Sequence, residues 1–187
     1  TNYGLSLIAE HELASDHVLT SVTGWRDDTT EVPNFDGDLT TLNILTQLGF
    51  QSQRQISQEL RLASPLHEKF DYVLGAYFFD QTFDLVEDFF IGDDLGISGS
   101  TSHSDTIDIR SYATFAHFNI HLTDKFTMFG GVRYTDETQK LRKEFGNESP
   151  ITGAFGIDPT PINVDISANE PSWAVGLRHK TTDDIML

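Results

Sequence analysis

The chain has 187 residues, 38% of them hydrophobic, with 14 Phe, 14 Gly, no cysteine and a formal net charge of −17. So acidic a balance argues against a nucleic-acid partner, because phosphates call for a basic footprint. The missing cysteines rule out a disulfide framework or a thiolate metal site. No stretch approaches the roughly 20 apolar residues of a spanning helix; the longest apolar run, Tyr72 to Phe79, is strand-sized. The opening Thr1-Asn2-Tyr3-Gly4 is not a basic start followed by an apolar core, so no signal peptide is read there. If this chain enters a membrane, it does so as a β-barrel, since only helices and closed barrels satisfy their backbone in lipid.

Asn2 to Glu12 alternates, with Tyr3, Leu5, Leu7 and Ala9 on one face and Ser6, Glu10 and Glu12 on the other. After a polar turn at Ala14-Ser15-Asp16-His17, the segment to Arg26 mixes Val18, Leu19, Val22 and Trp25 with Thr and Ser, a strand composition. An acidic excursion from Asp27 to Phe50 carries Pro33, Asn34, Gly37 and Gly49, which read as breakers. Gln55 to Ser64 alternates Ile56, Leu60 and Leu62 against Ser57, Glu59 and Arg61. Across the turn from Ser64 to Lys69, the segment Phe70 to Phe83 puts Tyr72, Leu74, Ala76 and Phe78 opposite Asp71, Val73, Tyr77 and Phe79. The excursion from Asp84 to Asp108 holds seven acids and no Lys or Arg.

Tyr112, Thr114, Ala116, Phe118, Ile120 and Leu122 then share a face, with His117, Asn119 and His121 behind them. Beyond Thr123-Asp124-Lys125, the residues Phe126, Met128, Gly130, Val132 and Tyr134 oppose Thr127, Gly131, Arg133, Thr135 and Glu137. A third excursion runs from Thr138 to Glu170, and Trp173, Val175 and Leu177 alternate after it with Ser172, Gly176, Arg178 and Lys180. Past the turn at Thr181-Thr182-Asp183-Asp184, Ile185-Met186-Leu187 reads as the start of another strand. The expectation is an all-β, antiparallel up-and-down meander of about eight strands, seven complete and one begun. Short turns on one side and long loops on the other are what a transmembrane barrel produces. Mid-strand charges such as Arg61, Asp71, Arg133 and Arg178 would face a wet or plugged lumen. Aromatics beside the short turns (Phe70, Tyr72, Phe126) would form one interfacial girdle.

Four of these stretches resemble the barrel of TonB-dependent outer-membrane receptors. They are Leu19-Thr20-Ser21-Val22-Thr23-Gly24-Trp25-Arg26; Gln58 to Pro65 with the aromatic strand Tyr72 to Phe79; Leu122 to Thr127 with Gly130-Gly131-Val132-Arg133-Tyr134-Thr135; and Ser172-Trp173 with Gly176-Leu177 and Lys180 to Asp184. The resemblance covers nearly the whole chain and is nearest to the sphingomonad-like and marine proteobacterial subgroup. It implies a segment, residues 1–187, of a barrel of about 22 strands, with the plug domain and remaining strands supplied elsewhere. It also implies an importer in the bacterial outer membrane rather than an enzyme. The partners it implies are the TonB complex, outer-membrane lipid and a small extracellular ligand such as an iron chelate or an oligosaccharide.

The residues assign no catalytic site, cofactor or metal. His103-Ser104-Asp105 lies in a Gly/Ser-rich stretch, expected to be a solvated loop, and lacks a nucleophile motif. Asp36-Gly37-Asp38 and Asp93-Asp94 offer oxygen ligands of the kind Ca²⁺ accepts, without the twelve-residue spacing of a calcium loop. His117 and His121 read as polar filler of a lumen. Ligand contact is expected from the three excursions and from wall residues such as Tyr77, Phe79, Arg133 and Arg178, with no individual binding residue assigned. Two other readings fit the meander: a complete eight-strand outer-membrane barrel for adhesion or structure, and a secreted carbohydrate-binding β-sandwich. Mid-strand Arg133 and Arg178 make the dry core of a sandwich awkward.

Overall fold

A computed structural model describes residues 1–66, 69–146, 153, 156 and 158–181. Among these, seven strands form a single antiparallel sheet in sequence order: β1 (Asn2–Glu12), β2 (Val18–Asp36), β3 (Leu45–Ala63), β4 (Phe70–Ile91), β5 (Gly99–Thr123), β6 (Phe126–Gly146) and β7 (Ile162–His179). The eighth strand expected at Ile185 lies outside the described residues. The first and third short turns, and the described ends of the second, fall where the punctuation puts them, while His67 and Glu68 of the second and all of the fourth past Thr181 lie outside the described residues. Leu13 and Asp16 close the first, with the Leu13 amide donating to His17 O at 2.8 Å. The hydroxyl of Thr123 accepts from the Lys125 and Phe126 amides at 3.2 and 3.0 Å in the third.

The long excursions are corrected by the structure, because most of each one is strand. β2 runs on to Asp36, β4 to Ile91 and β6 to Gly146, which leaves connections of eight residues at 37–44 and seven at 92–98. Ladder hydrogen bonds do not depend on apolar side chains, so Thr, Ser, Gln and Asp can continue a sheet into water. The breakers are absorbed as well. Pro33 and Asn34 sit in a register shift between Val32 and Phe35, with Asn34 at φ 43°, a bulge rather than a strand end. Gly49 pairs with Glu87 inside the ladder.

Among the described residues only one layer is present, with no sandwiched core; Ala113 and Ser111 are among the few buried side chains. One face is apolar and open across every strand, including Leu5, Ile56, Leu60, Leu74, Val132 and Trp173. Register makes that face continuous, since Leu62, Leu74, Ala116, Val132 and Trp173 are successive cross-strand partners. In β4 it extends from Phe70 to Phe78, close to the roughly 9–11 residues that a tilted strand needs to cross a bilayer. Polar residues on this face satisfy one another. Thr23 donates to Gln58 Oε1 at 2.6 Å and the Gln58 amide donates to Ser21 at 2.9 Å, as hydrocarbon surroundings require.

Two aromatic borders frame the band. Beside the short turns, Phe70 packs on Tyr72, Tyr72 accepts or donates a hydrogen bond with His17 at 2.9 Å, and Phe126 stacks on His179. At the other border, Trp25, Phe78, Tyr112, Tyr134 and Trp173 step diagonally across the register. Just beyond that diagonal come the ion pairs Arg54–Asp27 at 3.2 Å and Arg110–Asp80 at 2.7 Å. Apolar band, aromatic line, then charged line is the outer profile of a membrane barrel. The diagonal is the stagger of strands that tilt against the barrel axis.

Candidate ligand-facing wall

The opposite, inward face carries the charged and hydrogen-bonding residues expected of a lumen. At the short-turn end, Asp71 accepts from Asn119 at 2.7 Å and lies 2.9 Å from His121 Nε2, while His121 Nδ1 meets the Thr127 hydroxyl at 3.1 Å. Carboxylate, imidazole and hydroxyl in line have the order of an acyl-transfer triad. Thr127 is paired in register with His121 on one side and Arg178 on the other, which fixes the three groups within the sheet. The network braces the wall. His117 lies on the same face, paired in register with Gly131, and among the described residues no group of three or more His, Cys, Asp or Glu is placed to hold a metal ion.

Midway up, two glycine–aromatic–arginine stacks recur. The ring of Phe115 covers Gly75, where a Cβ would fall 2.1 Å from Phe115 Cζ, and the Arg133 guanidinium sits 5.9 Å from that ring and 5.5 Å from Tyr77. Phe129 covers Gly176 in the same way, with the Arg178 guanidinium 5.4 Å away. A hollow of about 870 Å³ opens here over Glu59, Arg61, Val73, Phe115, His117 and Arg133. Cations held over aromatic faces leave guanidinium edges available for acceptors. Thus Tyr77, Arg133 and Arg178 come into the wall as expected, and Phe79 stands beside Ser111 one row farther out.

His103-Ser104-Asp105 is corrected from loop to strand: it lies within β5. His103 Nε2 is 3.0 Å from Glu87 and 3.6 Å from Asp105, Lys143 reaches Asp105 at 3.1 Å, and Gln47 donates to Glu87 at 2.7 Å. The two acidic clusters accept from backbone amides of the two loops. Asp36 accepts from the Asp38 and Leu39 amides, both at 3.2 Å, and Asp94 accepts from the Asn43 amide at 2.6 Å, tying the loops 37–44 and 92–98 together. Asp38 is held below its ordinary value of 3.8 chiefly by the Thr40 hydroxyl, then by the Leu45 amide. A lowered carboxylate contributes order above its unfolded pKa and loses it as pH falls through the folded value. The protection factors of the Thr40 and Leu45 amides, exchange corrected for the intrinsic rate at each pH, are therefore expected to hold from neutral pH down to about 5 and to fall in stronger acid. In Asp38→Asn they should already be lower at neutral pH, with the acid step gone. An acid step that persists in the variant would assign it to another group.

Sequence reading missed the outer aromatic diagonal and the inward side chains of the excursions. Spacing hinted at the latter through apolar pairs two apart, such as Phe83 and Leu85, Ile107 and Ile109, and Val164 and Ile166.

An antiparallel meander with an apolar belt outside, aromatic borders and a charged inner wall defines a segment of a membrane-spanning β-barrel. The whole chain, residues 1–187, matches the family described as TonB dependent receptor-like, beta-barrel. The chain belongs to that family, whose barrels are outer-membrane receptors and transporters. Its fold is similar to the crystal structure of the ferric yersiniabactin uptake receptor FyuA from Yersinia pestis, with a TM-score of 0.71 and 18% sequence identity over 97% of this chain. The match covers 26% of the FyuA chain, so this chain spans about a quarter of that receptor's length. No curated protein matches the sequence.

Proposed function

We propose that the chain is part of one β-barrel of an energised importer, which binds a small extracellular ligand and passes it inward with work delivered through TonB. The observation that carries this reading is the division of one sheet into a lipid-facing belt and an inner wall built from Arg, Asp, His and aromatic groups. A barrel that served only as an anchor would have no need of arginines held over aromatic rings midway through its lumen. The range of cargo expected of the family is an iron chelate, an oligosaccharide or another small ligand. The outer membrane is the compartment that fits, and binding and passage call for no covalent step on the ligand.

The test is growth or labelled-ligand uptake by cells carrying the complete gene product, with and without TonB. Uptake that requires both the receptor and TonB, and that stops when the proton gradient is collapsed, supports the proposal. Uptake unaffected by loss of TonB would point to a passive pore.

A further inference from the structure

The strands reverse their polarity as they leave the membrane. In β4 the outward positions change from Leu74, Ala76 and Phe78 to Asp80, Thr82 and Asp84, and in β5 from Tyr112 to Arg110, Asp108 and Thr106. The inward positions change the other way. Phe83, Ile107, Leu141 and Val164 are direct cross-strand partners in one row, and in the next Ile109 and Ile166 alternate with the amides Gln81 and Gln139. These residues lie beyond the aromatic diagonal, where the outside of the sheet is charged, so the apolar surface faces the vestibule and not lipid. Four strands at about 4.8 Å spacing, and rows about 7 Å apart, make a patch on the order of 14 Å wide, the size of one face of a small ring system.

What borders the patch limits what it can hold. On the β3 side stand neutral amides: Gln53 donates to Gln55 at 3.2 Å and to Gln81 at 3.0 Å. On the mouth side stand Glu87 and Asp105 with His103 and Lys143. Lys143 pairs with one Asp105 oxygen, while the other, Oδ1, is buried without a hydrogen-bond partner. Buried polar atoms in folded proteins nearly always have partners, and a turn of this carboxylate toward a donor in the vestibule would supply one. Beyond the rim the loops add Asp36, Asp38, Asp93 and Asp94. This field repels anions, and the apolar row gives no hydrogen bond to a molecule covered in hydroxyls.

We infer that this vestibule patch binds a small uncharged or cationic molecule with a flat apolar body and at least one hydroxyl or amine donor. The inference rests on the importer reading and narrows its cargo. The apolar body would lie on Phe83, Ile107, Leu141 and Val164, with the donor toward Asp105.

Calorimetric titration of the complete receptor in detergent, with 2-naphthol as the probe and maltotriose and ferric citrate as the contrasting ligands, tests it. The expected result is saturable binding of 2-naphthol above the micelle blank, weakened at least tenfold by Ile107→Asp and by Leu141→Asp. Thr106→Asp, on the outer side of the same strand, should leave it unchanged. Heat-modifiable migration on gels identifies folded variants, and Ile107→Ser replaces any that fail. Absence of saturable 2-naphthol binding, binding indifferent to the inward variants, or saturable binding of maltotriose or ferric citrate in its place overturns the inference. The last result leaves the importer standing with another cargo; loss of the importer itself is read separately, from TonB-independent uptake.

Discussion

Leu74→Arg is expected to destabilise the barrel by about 2–4 kcal/mol, the cost of a guanidinium at the midplane of a lipid-facing strand. Leu74 stands at the centre of the outward run Phe70–Phe78 and is 44% exposed in the sheet, so none of the described residues covers it. Its row neighbours Leu62 and Ala116 offer no carboxylate with which to pair. An inward substitution on the adjoining position, Val73→Thr, should cost less than about 1 kcal/mol, because that face already carries His117 opposite. Denaturant titration of the complete receptor refolded into lipid vesicles would measure both. Similar losses for the two variants would remove the assignment of an outer and an inner face.

The second large effect concerns the glycine beneath an aromatic ring. Gly75→Ala places a methyl group 2.1 Å from Phe115 Cζ and 2.6 Å from both Cε atoms. The ring must leave its seat, and the Arg133 stack on Phe115 goes with it. Overpacking of this kind costs about 1–3 kcal/mol, with a further cation–π contribution of about 0.5–1 kcal/mol where the site is wet. Shrinking the covering side chain should restore much of the loss, so the Gly75→Ala, Phe115→Leu double variant is expected to be more stable than the sum of its singles. A double-mutant cycle on the same unfolding assay checks this. Simple additivity would show that the ring does not rest on Gly75.

Much of the architecture is legible in the sequence. Alternation in segments such as Tyr112–Leu122 sorts side chains by face, because strand period is two whatever the register. Punctuation at Asp16, Pro65 and Asp124 placed the tight turns. The chain lengths of the strands were not legible, because a polar run such as Asp84 to Asp108 looks like loop when hydrophobicity is the only guide. It is strand because its partners across the ladder are strand, a fact that belongs to the neighbours and not to the segment.

The candidate wall divides in the same way. Arg133 and Arg178 could be assigned to the inner face from the sequence, but their placement over Tyr77, Phe115 and Phe129 depends on cross-strand register. So does the row of Phe83, Ile107, Leu141 and Val164, whose members are separated by 23 to 34 residues in the chain and meet only through pairing. By itself the sequence determined the meander, its two faces and its family, since these are local patterns repeated hairpin by hairpin. The tertiary structure alone decided where the membrane ends and where polarity turns inside out. Those are properties of rows running across strands, and a row exists only after the ladders have formed.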